Sequence, residues 1–225
     1  MIRCVLFDLD GTTIDTNELI IESLQHVMLH HCGKTLTRDM IIPRMGGTLT
    51  DQLRYFSGRE DVADLAAAYR AYQYERYGDR VTLFPGVLEA VRRLSGAGLK
   101  IGVVTNKSRE STARTLDMCG LRPHVSSVVT IEDVKHPKPH PEPIRKAMRE
   151  LSAKPEETAM VGDSPYDLLA ARAAGVTAVA VGWSLKPRDA LREAGADRFI
   201  ETMDDLLDLC GVAGGRDRRA PAARK

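Results

Sequence analysis

A chain of 225 residues is long enough for one core domain with a modest insertion, and its 43% hydrophobic content is enough to bury a sizeable core. A formal net charge of +1 gives no ground for a nucleic-acid or strongly charged partner, and no apolar run is long enough to span a bilayer. Cys4, Cys32, Cys119 and Cys210 are scattered with no CxxC pair, and MIRCVLFDLD reaches two aspartates before any signal-peptide core forms, so a reduced, cytoplasmic chain is expected.

In chain order, the first predicted strand is the apolar run Ile2–Phe7. From Thr16 to Arg80 the pattern is helical. Asn17–His31 carries Leu19, Ile20, Leu24, Val27 and Met28 close to a 3.6-residue period. Thr37 and Thr48 read as helix N-caps, and Val62–Tyr77 sets Leu65, Tyr69 and Tyr72 on one face. About sixty helical residues after the first strand suggest a small second domain. Helices and strands then alternate: Leu88–Leu94, strand Lys100–Val104, Glu110–Cys119, strand Val125–Val129, Pro143–Leu151, strand Thr158–Val161, Tyr166–Ala174, strand Val176–Val181. Gly175 reads as a helix stop, and Asp197–Ile200 and Asp204–Leu209 as a last strand and helix. This βαβ rhythm predicts a parallel sheet with helices on both faces. The expected division is a core from residues 1–15 and 81–212, a helical unit from 16–80, and a solvated tail at 213–225, which holds five basic residues and one acidic.

Four motifs fall at or just after the carboxyl ends of predicted strands, where open parallel sheets bind ligands. The first strand runs into Asp8-Leu9-Asp10-Gly11-Thr12. Two carboxylates there repel unless a cation lies between them, and magnesium suits oxygen ligands; the competing reading is an aspartate-rich solvated turn. Thr105-Asn106 ends the next strand, so the hydroxyl and adjacent amides either hold phosphate oxygens or cap the following helix. Lys138 lies in a proline-stiffened loop, His136-Pro137-Lys138-Pro139-His140-Pro141, as a fixed ammonium or a surface lysine. Gly162-Asp163-Ser164-Pro165-Tyr166-Asp167 leaves another strand, and its acids serve either a site or a helix N-terminus. The coincidence of all four favours a site.

With DLDGT at Asp8–Thr12, TN at Thr105–Asn106, KP at Lys138–Pro139 and GDSPYD at Gly162–Asp167, the chain resembles the haloacid dehalogenase-like phosphatases over roughly residues 1–210. The resemblance implies an α/β fold: a Rossmann-like three-layer parallel-sheet core with an inserted small helical cap domain. It implies a magnesium cofactor, with Asp8 as nucleophile and Asp10 as general acid/base. Thr105 and Lys138, with Asn106, would bind the transferring phosphoryl group. Asp163 would join Asp8 and the backbone carbonyl of Asp10 at the metal, with Asp167 and Ser164 in support. A finer resemblance, to the phosphoglycolate phosphatase-like group and its bacterial pyrophosphatase branch, rests on Thr16–Ile21, Val128–Val134, Pro141-Glu142-Pro143, Ala153–Glu157 and Val181–Lys186. It implies pyrophosphate as substrate, with 2-phosphoglycolate as the alternative. The sequence departs from that branch at Pro43–Leu49, where Arg44 or the Gly46 and Gly47 amides would meet the distal end of a substrate. A sugar-phosphate mutase and a non-catalytic phospho-ligand binder are the remoter alternatives; retention of both Asp8 and Asp10 speaks against the binder. His26 and His30 lack a metal-motif context and read as solvated, Tyr69, Tyr72 and Tyr77 as packing for the inserted helices, and Trp183 as core packing. No protein partner is legible.

Overall fold

The computed structural model describes residues 1–212; the basic segment 213–225 lies outside the described residues. The chain runs β1 (Cys4–Phe7), β2 (Ile14–Asp15), α1 (Asn17–Cys32), α2 (Arg38–Ile41), α3 (Leu49–Ser57), α4 (Ala63–Arg80), β3 (Thr82–Leu83) and α5 (Val87–Gly96). It continues through β4 (Lys100–Val104), α6 (Arg109–Met118), β5 (Ser127–Val129), α7 (Glu142–Glu150), β6 (Thr158–Gly162), α8 (Pro165–Ala174), β7 (Thr177–Val181), α9 (Arg188–Glu193), β8 (Arg198–Ile200) and α10 (Met203–Leu209). Six strands form one sheet in the order β5-β4-β1-β6-β7-β8, and every pairing is parallel.

The sheet is parallel because each strand is followed by a helix that carries the chain back across a face. Central strands are buried on both sides, so β1 and β6 carry no exposed position. The two-residue side-chain period divides them between two layers. Val5, Phe7, Ile101, Val103, Val161 and Val179 pack with α5 and α10 through Val87, Val91, Leu94 and Leu206. Cys4, Leu6, Val104, Met160 and Ala180 pack on the other face with Ile144, Ala147, Leu168 and Ala171 of α7 and α8. The order reverses beside β1, since β4 and β5 extend the sheet one way and β6, β7 and β8 the other. A crevice opens beyond the carboxyl ends of strands at such a reversal.

Helices α1, α3 and α4 share a separate apolar cluster that includes Leu24, Met28, Ile41, Leu53, Phe56 and Leu65. The chain leaves the core through β2 and returns through β3, and the two pair antiparallel, Ile14 with Leu83 and Asp15 with Thr82. This ribbon and α9 are absent from the sequence-based expectation. Both are too short, at two and six residues, to show a period. The predicted strand at Val125 begins only at Ser127, because Arg122–His124 takes a short 3₁₀ turn first. Thr37 precedes α2 without a side-chain cap bond, whereas the Thr48 hydroxyl accepts from Asp51 N. Tyr72 stacks on His26 among the inserted helices, but Tyr77 packs into the core layer and its hydroxyl pairs with Thr115 of α6.

Candidate active site

At the end of β1, Asp8 N donates to Val161 O at 3.0 Å, which continues the ladder one residue past the strand. Leu9 turns into the core, so Asp8 and Asp10 face the crevice on either side of it. Gly11 follows at φ +80, a conformation that favours glycine. A Cβ at that position would lie 2.6 Å from Asp163 Oδ2, so glycine also makes room for that carboxylate. The Thr12 hydroxyl donates to Asp163 Oδ1 at 3.3 Å.

Lys138 is almost wholly buried, and its ammonium touches three oxygens: Val104 O at 2.8 Å, Asp167 Oδ1 at 2.6 Å and Asp8 Oδ1 at 2.8 Å. The surface-lysine alternative does not describe it. The other oxygen of Asp167 accepts from Ser164 N at 3.1 Å and Ser164 Oγ at 2.6 Å, which closes a capping box at the start of α8. Asp167 therefore both caps the helix and holds the lysine. Burial alone would lower the Lys138 pKa, but the Asp167 and Asp8 carboxylates bonded to the ammonium keep it charged and push its pKa well above the usual lysine range.

Oxygens of Asp8, Asp163 and Asp167 come within 4.8 Å of one another. Burial pushes the Asp8 carboxyl up to about 6, against the pull of Lys138. Burial, then the Asp167 and Asp8 charges, push Asp163 up to about 8. Such raised values mean that the charged cluster is short of positive charge. An all-oxygen donor set of this kind fits a hard divalent cation, and of the three carboxylates Asp8 and Asp163 line the crevice while Asp167 does not.

Asp10 is held separately. Lys107 Nζ lies 2.9 Å from each of its carboxylate oxygens, and Thr16 Oγ1 donates to Oδ1 at 2.7 Å. Lys107 is partly buried, which lowers its pKa, but the Asp10 carboxylate and Tyr77, whose ring is 5.4 Å away, more than offset this and keep it protonated. The sequence reading missed Lys107. Its only local signal is its place on the same strand-end loop as Thr105, while its partner lies 97 positions earlier.

Thr105 lines the crevice, and its Oγ1 accepts from Lys107 N at 3.2 Å, which leaves the hydroxyl proton for a ligand. The helix-cap alternative goes instead to Ser108, whose Oγ accepts from Ser111 N. Asn106 turns its amide onto backbone: it donates to Gly46 O at 3.0 Å and Lys138 O at 2.9 Å and accepts from Lys138 N at 3.0 Å. It ties the lysine loop to the inserted helices and has little capacity left for a phosphate oxygen.

The inserted helices cover the crevice. Gly46, at φ +98, lies so close to Ser164 that an added Cβ would stand 2.6 Å from its Oγ. Gly47 lines the cavity, but its N–H turns to Arg44 O at 3.4 Å. Lys186, also buried, donates to Ile42 O across the same junction. Burial lowers its pKa against the pull of the Asp163 charge. Arg44 stacks on Tyr55 and does not line the cavity; Arg70 of α4 does, with Thr50, Gln52 and Gln73. The cavity, which is partly open to solvent, is about 160 Å³, well below the roughly 300–1,000 Å³ of sites for drug-sized ligands. Trp183 stands outside it, donating to Thr12 O at 3.1 Å and tilted against Phe84. The four cysteines are free thiols, and no helix among the described residues is long and apolar enough to cross a membrane.

Residues 5–181 match the family model described as haloacid dehalogenase-like hydrolase. The chain is 40% identical over 214 residues to the Bacillus mycoides protein named pyrophosphatase PpaX, an alignment covering 95% of this chain and 99% of that one. A HAD-superfamily hydrolase of Geobacter sulfurreducens superposes with a TM-score of 0.72 at 29% identity, covering 93% and 100% of the two chains. A predicted phosphoglycolate phosphatase of Haemophilus somnus shares the fold with a TM-score of 0.80 at 21% identity, covering 92% and 97%.

Proposed function

The chain belongs to the haloacid dehalogenase-like hydrolases, and we propose that it is a magnesium-dependent phosphohydrolase acting on inorganic pyrophosphate through an aspartyl-phosphate intermediate. The observation that carries this reading is the Asp8 carboxylate, fixed by Lys138 at the end of the central strand and facing a cavity that Asp10 also lines.

In the proposed reaction an Asp8 oxygen attacks the nearer phosphorus while the bridging P–O bond breaks. Asp10, held in place by Lys107 and Thr16, enters this step protonated and gives that proton to the leaving phosphate, which leaves it as the carboxylate paired with Lys107. Water then attacks the aspartyl phosphate, Asp10 takes the water's proton, and the Asp8–phosphorus bond breaks to release the second phosphate. Lys138 and the Thr105 hydroxyl stabilise the charge on the transferring oxygens. Asp8, Asp163 and the Asp10 carbonyl would hold magnesium, which supplies positive charge to the carboxylates and the phosphoryl group. Asp167 and Ser164 position Lys138, and Asn106 positions the Lys138 loop.

In this reading residues 16–80 act as a cap that excludes water from the core formed by 1–15 and 81–212, with β2 and β3 as its two connections. The four free thiols suit a cytoplasmic location. Pyrophosphate ranks ahead of 2-phosphoglycolate because the near full-length relative at 40% identity is named a pyrophosphatase, and because the cavity is small. Phosphate release with magnesium from pyrophosphate, 2-phosphoglycolate and an aryl phosphate tests this. Pyrophosphate is expected to give the highest kcat/KM; a preference for phosphoglycolate overturns the substrate, and release from none of them overturns the phosphohydrolase. Asp8→Asn should lose at least roughly 10³-fold in turnover while keeping its circular dichroism spectrum.

A further inference from the structure

Two cationic side chains line the cavity, and they are not equivalent. Lys107 is held on the Asp10 carboxylate. Arg70 of α4 is an exposed residue on the inserted-helix side, at the edge this cavity shares with a neighbouring surface groove, and forms no ion pair or hydrogen bond among the described residues. On the same side the Gln52 amide is oriented by its Nε2, which donates to Gly47 O at 3.0 Å. That bond leaves Gln52 Oε1 buried with no donor, one of two such side-chain atoms among the described residues. A buried acceptor without a donor is unfavourable, so this wall lacks an N–H or O–H that a ligand can supply.

We infer that Arg70 and Gln52 form the subsite for the distal phosphate of the substrate and set the preference for a diphosphate. The inference deepens the phosphohydrolase reading and rests on it. With one phosphoryl group at Asp8, the leaving group extends past Asp10 towards the inserted helices, whose unpaired charge is the Arg70 guanidinium. A planar guanidinium donates in a fork that matches two oxygens of one phosphate. A terminal phosphate gives up its last proton only at about pH 6, so near neutrality a fraction still carries an O–H. That group offers oxygens to Arg70 and a proton to Gln52 Oε1. A carboxylate offers the first and not the second, so the pair discriminates between pyrophosphate and 2-phosphoglycolate.

The test compares pyrophosphate with acetyl phosphate, a compact substrate whose distal end is uncharged. Arg70→Ala is expected to lower the pyrophosphate-to-acetyl phosphate ratio of kcat/KM by about 100-fold, and Arg70→Lys to restore only part of it. Gln52→Leu should cost about tenfold with pyrophosphate and less with 2-phosphoglycolate. A ratio that moves by less than about threefold in Arg70→Ala overturns the role of Arg70. Equal losses with both substrates in Gln52→Leu overturn the role of Gln52. Calorimetric binding of magnesium pyrophosphate to Asp8→Asn, with and without Arg70→Ala, decides the subsite without turnover. Turnover that survives in Asp8→Asn overturns the proposed chemistry, while the binding comparison still judges Arg70.

Discussion

Asp163 and Asp8 carry carboxyls that burial raises to about 8 and about 6, from 3.8 in a solvated chain. Between those limits the folded protein holds protons that the unfolded chain has released, so without a cation its stability falls as pH rises from about 4 to about 8. A divalent cation reverses this, and fewer protons must leave as pH rises. Differential scanning calorimetry should therefore show a larger gain in Tm from magnesium at pH 8 than at pH 6. In Asp163→Asn the gain should largely vanish and the cation-free protein should be steadier at pH 8. A gain that is independent of pH, or unchanged in Asp163→Asn, contradicts this account. The other residue-scale prediction concerns Lys107, whose ammonium reaches both oxygens of Asp10. Lys107→Met leaves that carboxylate with Thr16 alone to orient it. The kcat should fall roughly 10²-fold with KM little changed, within the range that general acid–base catalysis contributes. Steady-state kinetics that show only a KM effect would assign Lys107 to substrate binding instead.

The loop between α2 and α3 joins the inserted helices to the core beside the cavity, which it lines through Met45, Gly46 and Gly47. It makes its contacts mainly through backbone: Gly46 O to Asn106, Ile42 O to Lys186, and the Gly46 Cα against Ser164. Close backbone approach of this kind requires glycine, and the φ of +98 requires it independently. Gly46→Ala should therefore hinder closure without harming either apolar core. KM for pyrophosphate is expected to rise roughly tenfold or more while Tm moves by only a few degrees, as about a 1 Å misplacement at a closing lid is enough to impair the reaction. Unchanged kinetics in Gly46→Ala would mean that this loop does not close over the substrate.

The molecule has three apolar clusters, one on each face of the sheet, which together form the core interior, and one forming the interior of the inserted helices. The β2–β3 ribbon, the packing of Leu19 and Tyr77 from the inserted helices into the sheet layer, and the polar contacts of the loop between α2 and α3 link the two interiors. Such an arrangement predicts that damage to one interior stays there. Leu53 is fully buried in the helical cluster, so Leu53→Ala should cost about 2–5 kcal/mol. Hydrogen exchange should then quicken across residues 16–80 well before it quickens in β1, β4 and β6. Uniform loss of protection would show that the two interiors unfold as one unit.

Much of this protein was legible without coordinates, because its decisive signals are local. The alternation of short apolar runs with helical periods specified a parallel sheet, since a buried strand and an amphipathic helix each show in a few consecutive residues. Asp8 and Asp10 were readable as a pair because a two-residue period sends both to the face opposite Leu9. Pairings across the chain were not. Nothing beside Lys107 announces Asp10, nothing beside Asn106 announces the carbonyls of Gly46 and Lys138, and Arg44, the arginine the sequence offered, stacks on Tyr55 while Arg70, which it did not single out, lines the cavity. Residue types and strand ends alone determined where the site lies. Which cation meets which carboxylate depends on distances between segments tens of residues apart, and those the tertiary structure alone decided.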